Sequence, residues 1–293
     1  MQNTTAAIKW RKAGIRGKRS RPAFSVRASP HLLTRKVSRS LLMAALLVLS
    51  WPALCERAAS SDEQKDGGEQ AGENASNPLA KVRNTDLRWQ HFDLGDGADL
   101  NDLFVEGSFM ATDKLKIKYE LHYWETNATG RSEQDWEALS LKGIYFPMEG
   151  ALGTWKYRAA IGLEWVLDFN HQAKGIGSGA DILSPFVGVA LLPRPGTTLI
   201  PLVQQFLSYN GNDVNTTAFR LIALQTLPQE WWVKADAKAP IEWENDNAVP
   251  ATAELQLGKH LSRSFALYAD GLVGIGGDRP YDYGLGVGLR FKY

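Results

Sequence analysis

The chain has 293 residues, with 33 Lys and Arg against 32 Asp and Glu and a formal charge of +1. So even a balance gives no overall basic character for binding nucleic acid, and a single cysteine, Cys55, excludes an internal disulfide. The balance averages over unlike segments, however, and each is read separately in chain order.

The first segment carries Lys9, Arg11, Lys12, Arg16, Lys18, Arg19, Arg21, Arg27, Arg35, Lys36 and Arg39 with no apolar period. It leads into residues 41–54, LLMAALLVLSWPAL, which are almost wholly apolar. Basic, then apolar, then small is the order of a secretory signal. At roughly a dozen residues the run is shorter than the twenty or so that cross a bilayer as a helix. Two cleavage sites fit, Ala53-Leu54-Cys55 and Ala58-Ala59-Ser60. Leu54 stands where a lipoprotein signal has a small residue, which disfavours a lipid anchor on Cys55, and the length of the basic stretch points to a start downstream of Met1. Residues 1–59 are therefore expected to be a leader containing a signal peptide.

Residues 60–80, SSDEQKDGGEQAGENASNPLA, are polar and acidic, with too little apolar surface to offset the entropy of ordering them. The expectation is a disordered linker over 60–83.

From residue 84 onward the text changes to short alternating runs separated by Gly, Asn, Asp and Pro, the pattern of strands and turns. Leu115, Ile117, Tyr119, Leu121 and Tyr123 alternate with Lys116, Lys118, Glu120 and His122. Tyr283, Leu285, Val287, Leu289, Phe291 and Tyr293 alternate with Gly284, Gly286, Gly288, Arg290 and Lys292. Successive strand side chains face opposite sides, so period two with no helical stripe predicts an all-β chain. About twelve strands are expected, over 85–92, 103–111, 115–125, 136–146, 155–167, 182–192, 199–209, 217–227, 232–242, 251–259, 265–273 and 283–293. An even number leaves both termini on one side of an up-and-down antiparallel transmembrane β-barrel. Connections 112–114, 228–231 and 260–264 then become periplasmic turns, and 126–135, 168–181 and 274–282 outside loops.

Aromatic residues at strand ends fit two interfacial girdles. Trp124, Trp136, Trp165, Tyr209, Trp243 and Tyr283 are assigned to the outer one, and Tyr145, Trp155, Trp231 and Tyr293 to the inner one. A soluble β-sandwich or lipocalin-like barrel alternates too, with its apolar face inward, and alternation alone does not say which face is inside.

With the apolar face outward, the lumen is lined by Lys116, Lys118, Glu120, His122, Lys142, Lys156, Arg158, Glu164, Arg220, Lys234, Asp236, Lys238, Glu254, Asp270 and Arg290, joined by Glu106 and Lys292. That is ten Lys and Arg to six Asp and Glu, an excess that favours anions if the pore conducts. The same charges can instead pair across strands and close the lumen.

The terminal run YGLGVGLRFKY, ending on Phe291 and Tyr293, resembles the C-terminal signal by which outer-membrane proteins are recognised by the barrel-assembly machinery. Residues Ile200-Pro201-Leu202, Pro240-Ile241-Glu242, Glu254 to Lys259 and Pro280 to Gly284 give the second half a loose resemblance to the outer-membrane family associated with the meta-pathway of phenol degradation. That resemblance implies a transport barrel and carries over no functional residue.

Three functions follow. The first is an outer-membrane channel or transporter for small solutes in a Gram-negative envelope, weakly anion-preferring. The second is a barrel with a closed lumen whose loops bind a surface partner. In the third, a lipid hydrolase, a serine must be activated by a histidine that a third group orients. After the leader only His91, His122, His171 and His260 remain, none beside a membrane-facing serine, and Ser208-Tyr209-Asn210-Gly211 has no adjacent histidine. No enzyme, metal site or cofactor is expected. The glycines of Lys174-Gly175-Ile176-Gly177-Ser178-Gly179 sit in no strand-to-helix context, so they read as loop flexibility rather than a phosphate cradle. The expected partners are outer-membrane lipid, the assembly machinery and small solutes, with no nucleic acid.

Overall fold

A computed structural model describes residues 73–293. The expected leader over 1–59, and the part of the expected linker that precedes residue 73, lie outside the described residues.

The described residues form β1 (Asn84–Gly95), β2 (Ala98–Thr112), β3 (Leu115–Thr126), β4 (Glu133–Tyr145), β5 (Glu149–Leu152), β6 (Trp155–Asp168), β7 (Ala180–Arg194), β8 (Thr197–Gly211), β9 (Asn215–Thr226), β10 (Trp231–Glu242), β11 (Ala251–His260), β12 (Phe265–Ile275) and β13 (Tyr283–Lys292). Each pairs antiparallel with its neighbours, and β1 pairs with β13 from Asn84↔Lys292 to Asp93↔Tyr283. β4 and β5 both pair with β6, as two pieces of one stave interrupted at Phe146-Pro147-Met148. Pro147 has no N–H to give to a ladder, which accounts for the break. The result is a closed antiparallel barrel of twelve staves, with the start of β1 and the end of β13 at one end, the terminal end. That terminal end carries short turns such as 113–114 and 195–196, and the opposite end carries the longer loops 127–132, 169–179, 243–250 and 276–282.

The polarity is inverted relative to a soluble barrel. Lys234 is 0% exposed while Leu255, opposite its neighbour Ala235, is 59% exposed. Around the wall Leu87, Trp89, Leu103, Leu163, Leu221, Leu257, Leu267, Leu285 and Val287 all face outward. Burying Arg88, Lys234 and Asp270 while exposing an apolar belt is stable only where the surroundings are lipid. This decides against the sandwich and lipocalin-like readings.

Trp136, Trp165, Tyr209, Trp243 and Tyr283 are exposed toward the loop end, and Tyr145, Trp155 and Tyr293 toward the terminal end, as interfacial aromatics. Trp124 is a correction: it is 2% exposed and points inward, because it shares the parity of Glu120 and His122. A β-bulge accounts for another shift of face. The register slips between Leu121 and Tyr123, so His122 lies opposite two residues of β4, and Glu137 and Ala138 are both buried while Trp136 turns outward.

Small residues make room for large ones across the interior. A Cβ on Gly288 would lie 2.2 Å from the Tyr268 ring, and one on Gly258 would lie 2.1 Å from Trp232. Glycines of β11 and β13 thus give interior rings space to lie against the wall.

Candidate functional site

Most of the charged groups of the barrel interior stand on β1–β3 and β10–β13, joined by Lys142 of β4, Arg158 and Glu164 of β6 and Arg220 of β9. Arg88 reaches Asp270 at 2.7 Å and Glu254 at 3.1 Å, and Lys234 reaches Glu254 at 2.8 Å. Arg220 pairs with Asp236 at 2.5 Å and Arg290 with Asp86 at 2.7 Å, and Asp86 also accepts from Tyr268 at 2.9 Å. Lys118 lies between Glu106 and Glu120, at 2.6 and 2.7 Å. Lys142 meets Glu164 at 3.1 Å, where Ser140 and Gln204 also donate, and the Lys238 ammonium lies over the Phe206 ring. The same strands β4 and β6–β9 carry much of the apolar interior: Ile144, Ala160, Phe186, Ala190, Ile200, Leu202 and Ile222 belong to one cluster, and Val166, Ile182, Phe206 and Ala218 to a second.

Both ends are covered. At the terminal end residues 73–82, expected in the linker, instead run inside the barrel mouth, and Arg83 is exposed against the Tyr293 ring. Lys116 Nζ donates to the carbonyls of Pro78 (3.2 Å) and Ala80 (2.8 Å). Arg158 grips the Glu73 carboxylate with both terminal nitrogens, at 2.7 and 2.9 Å, and donates to Leu79 O at 3.0 Å. Ser76 Oγ donates to Gln256 at 2.7 Å and accepts from Arg290 at 2.9 Å. Leu79 and Ala80 are buried, Leu79 within the apolar cluster around Ile144 and Ile200. Composition concealed this order, because the segment buries only two apolar side chains, Leu79 and Ala80, and draws its fixed partners from the barrel.

At the loop end Ile176 and Tyr281, from two different loops, pack on Phe92, Leu100, Trp124 and Leu272. The loop holding Ile176 is folded rather than freely flexible. A 3-10 turn, Gln172–Lys174, ends on Gly175 at φ 74°, and Asp168 accepts from Asn170 N, Gly179 N and Ser178 Oγ. The Asp135 carboxylate, 2.6 Å away, raises the Lys174 ammonium above its ordinary range by hydrogen bonding. Between the two covers, Glu120, His122, Trp124, Glu137 and Ser140 enclose a cavity of about one water molecule.

Fourteen of the fifteen residues assigned to the lumen are buried or half-buried on the inner face: Lys116, Lys118, Glu120, His122, Lys142, Arg158, Glu164, Arg220, Lys234, Asp236, Lys238, Glu254, Asp270 and Arg290. Lys156 is not; it is exposed on the β5–β6 hairpin, which projects past the barrel wall. Lys292 sits at the rim beside His260. Arg88, Asp86, Asp102, Glu137 and Asp168 were missed and are buried inside. The inner face therefore presents nine Lys and Arg to ten Asp and Glu, so the ten-to-six cationic excess is not present. Asp86 and Arg88 lie on β1, where alternation is faint, and the bulge hides Glu137 from a strict count of two.

The histidines are scattered. His91 is on the outer side of β1, 3.1 Å from Asn101, but its same-face neighbours Trp89 and Asp93 and its cross-strand partner Leu285 include no serine. His122 is inside, between Asp102 at 2.9 Å and Glu120 at 3.6 Å. His171 contacts Trp136 O and Asp135, and His260 packs against Trp232. Among the described residues none of the four shares a hydrogen bond with a serine.

No protein-family profile matches the sequence, and comparison with characterised sequences finds no relative. Solved structures do match. The NanC porin superposes with a TM-score of 0.53 at 10% identity, over 71% of this chain and 100% of that one. An outer membrane channel from Pseudomonas putida F1 gives 0.53 at 8% identity, over 78% and 100%. The KdgM porin gives 0.48 at 8%, over 72% and 99%. The fold is that of a bacterial outer-membrane β-barrel. With its apolar outer wall and interfacial aromatics, this barrel resides in the bacterial outer membrane.

Proposed function

We propose that the barrel is a channel for small solutes. The observation that carries this reading is how the interior is covered: at the terminal end by a segment that belongs to no strand, and at the loop end by side chains from two loops. Both covers can move while the ladder of every strand stays intact, and conduction also requires the ion-paired side chains between them to part. The two similar structures described as a porin and a channel add support through the shared fold. With short turns in the periplasm, the segment 73–82 closes the periplasmic mouth. Anion preference, in this reading, belongs to that mouth, where Lys116, Arg158 and Arg290 cluster, rather than to the interior as a whole. The resemblance to the meta-pathway family is part of the proposal, resting on Ile200-Pro201-Leu202 in β8, Pro240-Ile241-Glu242 in β10, Glu254 to Lys259 in β11 and Pro280 to Gly284 before β13.

The test is single-channel recording of the heat-modifiable barrel in a planar bilayer under a salt gradient. Discrete conductance steps support the channel. A folded barrel that never conducts refutes it and favours the second reading, a closed barrel acting through its loops, which the covering of both ends by Ile176, Tyr281 and residues 73–82 makes specific.

A further inference from the structure

The segment 73–82 shows what its pocket recognises. It offers one carboxylate, gripped by two nitrogens of Arg158, and one fully buried branched aliphatic side chain, Leu79, set in a pocket that includes Ile144, Ala160 and Ile200. Its contacts with the barrel beyond the carboxylate use groups most organic acids lack: the carbonyls of Pro78 and Ala80 on Lys116, of Leu79 on Arg158 and of Val82 on Ser108, the Ser76 hydroxyl on Gln256 and Arg290, and the Lys81 ammonium on Glu149. Two-point grip of a planar carboxylate is the geometry guanidinium groups favour, and the apolar lining rewards a hydrocarbon chain beside it. Without the segment, Arg158 keeps Glu149 at 3.2 Å as a partner, while Lys116 loses the carbonyls that hold it.

The geometry points to a binding site for aliphatic carboxylates in the periplasmic half of the barrel, with residues 73–80 as its tethered occupant. This rests on the channel reading above and names the solute class of that channel. A tethered occupant competes at an effective concentration on the order of millimolar, so a free solute sees only the fraction of barrels in which the segment has left, and its apparent affinity falls by that fraction. Loosening the segment must therefore tighten solute binding.

The probe is hexanoate, followed by saturation-transfer NMR on the full chain in lipid nanodiscs, with empty nanodiscs subtracted. Acetate, without a chain, and hexanol, without a charge, are the controls. The double variant Glu73→Gln, Leu79→Asn gives up the bidentate charge and the apolar anchor of the segment while leaving the wall unchanged. It is expected to bind hexanoate at least tenfold more tightly than the unaltered chain, with neither control saturating. Adding Arg158→Met to it is expected to abolish hexanoate binding, and Lys116→Met serves if the Arg158 variant loses its heat-modifiable mobility. Equal hexanoate binding with and without the loosening substitutions overturns the proposal, as does hexanol binding as well as hexanoate. Conductance of the same preparations separates the two readings. A barrel that conducts but binds no hexanoate sinks the site and leaves the channel, whereas one that binds hexanoate but never conducts leaves the site and sinks the channel.

Discussion

Replacing Arg88 with Met tests whether the interior charges are held in a dry, packed setting. Arg88 is fully buried, reaches Asp270 at 2.7 Å and Glu254 at 3.1 Å, and lies between the Phe104 and Tyr268 rings, 5.6 and 5.7 Å from their centroids. Methionine keeps much of the packing and removes the charge, stranding carboxylates rather than opening a cavity. Breaking a buried pair by removing one partner costs roughly 3–5 kcal/mol. Asp270 keeps Gln256 at 2.8 Å and Glu254 keeps Lys234 at 2.8 Å, so the lower end of that range, about 3 kcal/mol, is expected. Reversible urea unfolding in detergent, followed by the heat-dependent gel shift, reads the loss. Adding Asp270→Asn to Arg88→Met should recover a large part of it, because the uncompensated carboxylate is then gone, and the double-mutant cycle should show strong coupling. A loss of less than about 1 kcal/mol for Arg88→Met alone is the value of a solvated pair. It would refute the reasoning, showing that water fills the interior and screens these charges.

Three other substitutions probe the wall. Leu255→Lys puts a charge on the lipid face at a residue 59% exposed in the middle of β11, and should cost about 2–4 kcal/mol in folding into vesicles; an unchanged yield of inserted barrel counts against an outward lipid face. Gly288→Ala pushes a methyl group into the Tyr268 ring and should destabilise by about 1–3 kcal/mol in the same assay, whereas Gly271→Ala, with nothing within 4 Å of the added carbon, should fold as the parent does. Phe291 and Tyr293 face outward at the end of the chain, and we propose that they are read by the assembly machinery. Changing both to Gln should slow the appearance of heat-modifiable barrel in cells while leaving folding into pure lipid much less affected, and an equal slowing in both settings points to a structural role alone.

Much of the barrel is legible in the sequence because one physical rule repeats along it. Lys116 to Tyr123 and Gly284 to Tyr293 alternate without a break, so strand, face and terminus agree there. The rule fails where the geometry departs from period two. At Glu137 and Ala138 a bulge sends two consecutive side chains inward, and the sequence carries no mark of it. Lys156 obeys the alternation but lies where the hairpin outruns the barrel, so the facing is right and the surroundings are solvent. Trp124 was drawn outward by the general preference of tryptophan for interfaces, although its own parity with His122 places it inside. The segment 73–82 was illegible for a different reason. Its order comes from Lys116, Arg158 and Arg290, which lie 36, 85 and 214 positions away from their partners Ala80, Glu73 and Ser76, and no local pattern records contacts at such range. The closure at Ile176 is equally non-local, since a glycine-rich loop reads as mobile until Asp168 and Tyr281 are found beside it.

The measurement that bears most directly on the channel is single-channel conductance of the full chain beside a variant lacking residues 73–80, in the same bilayer and under the same salt gradient. The account predicts brief, infrequent steps for the full chain. For the variant it predicts longer and larger steps, with a reversal potential displaced toward anions once Lys116, Arg158 and Arg290 are uncovered. Identical silence from both barrels, each shown to be folded by its gel shift, contradicts it.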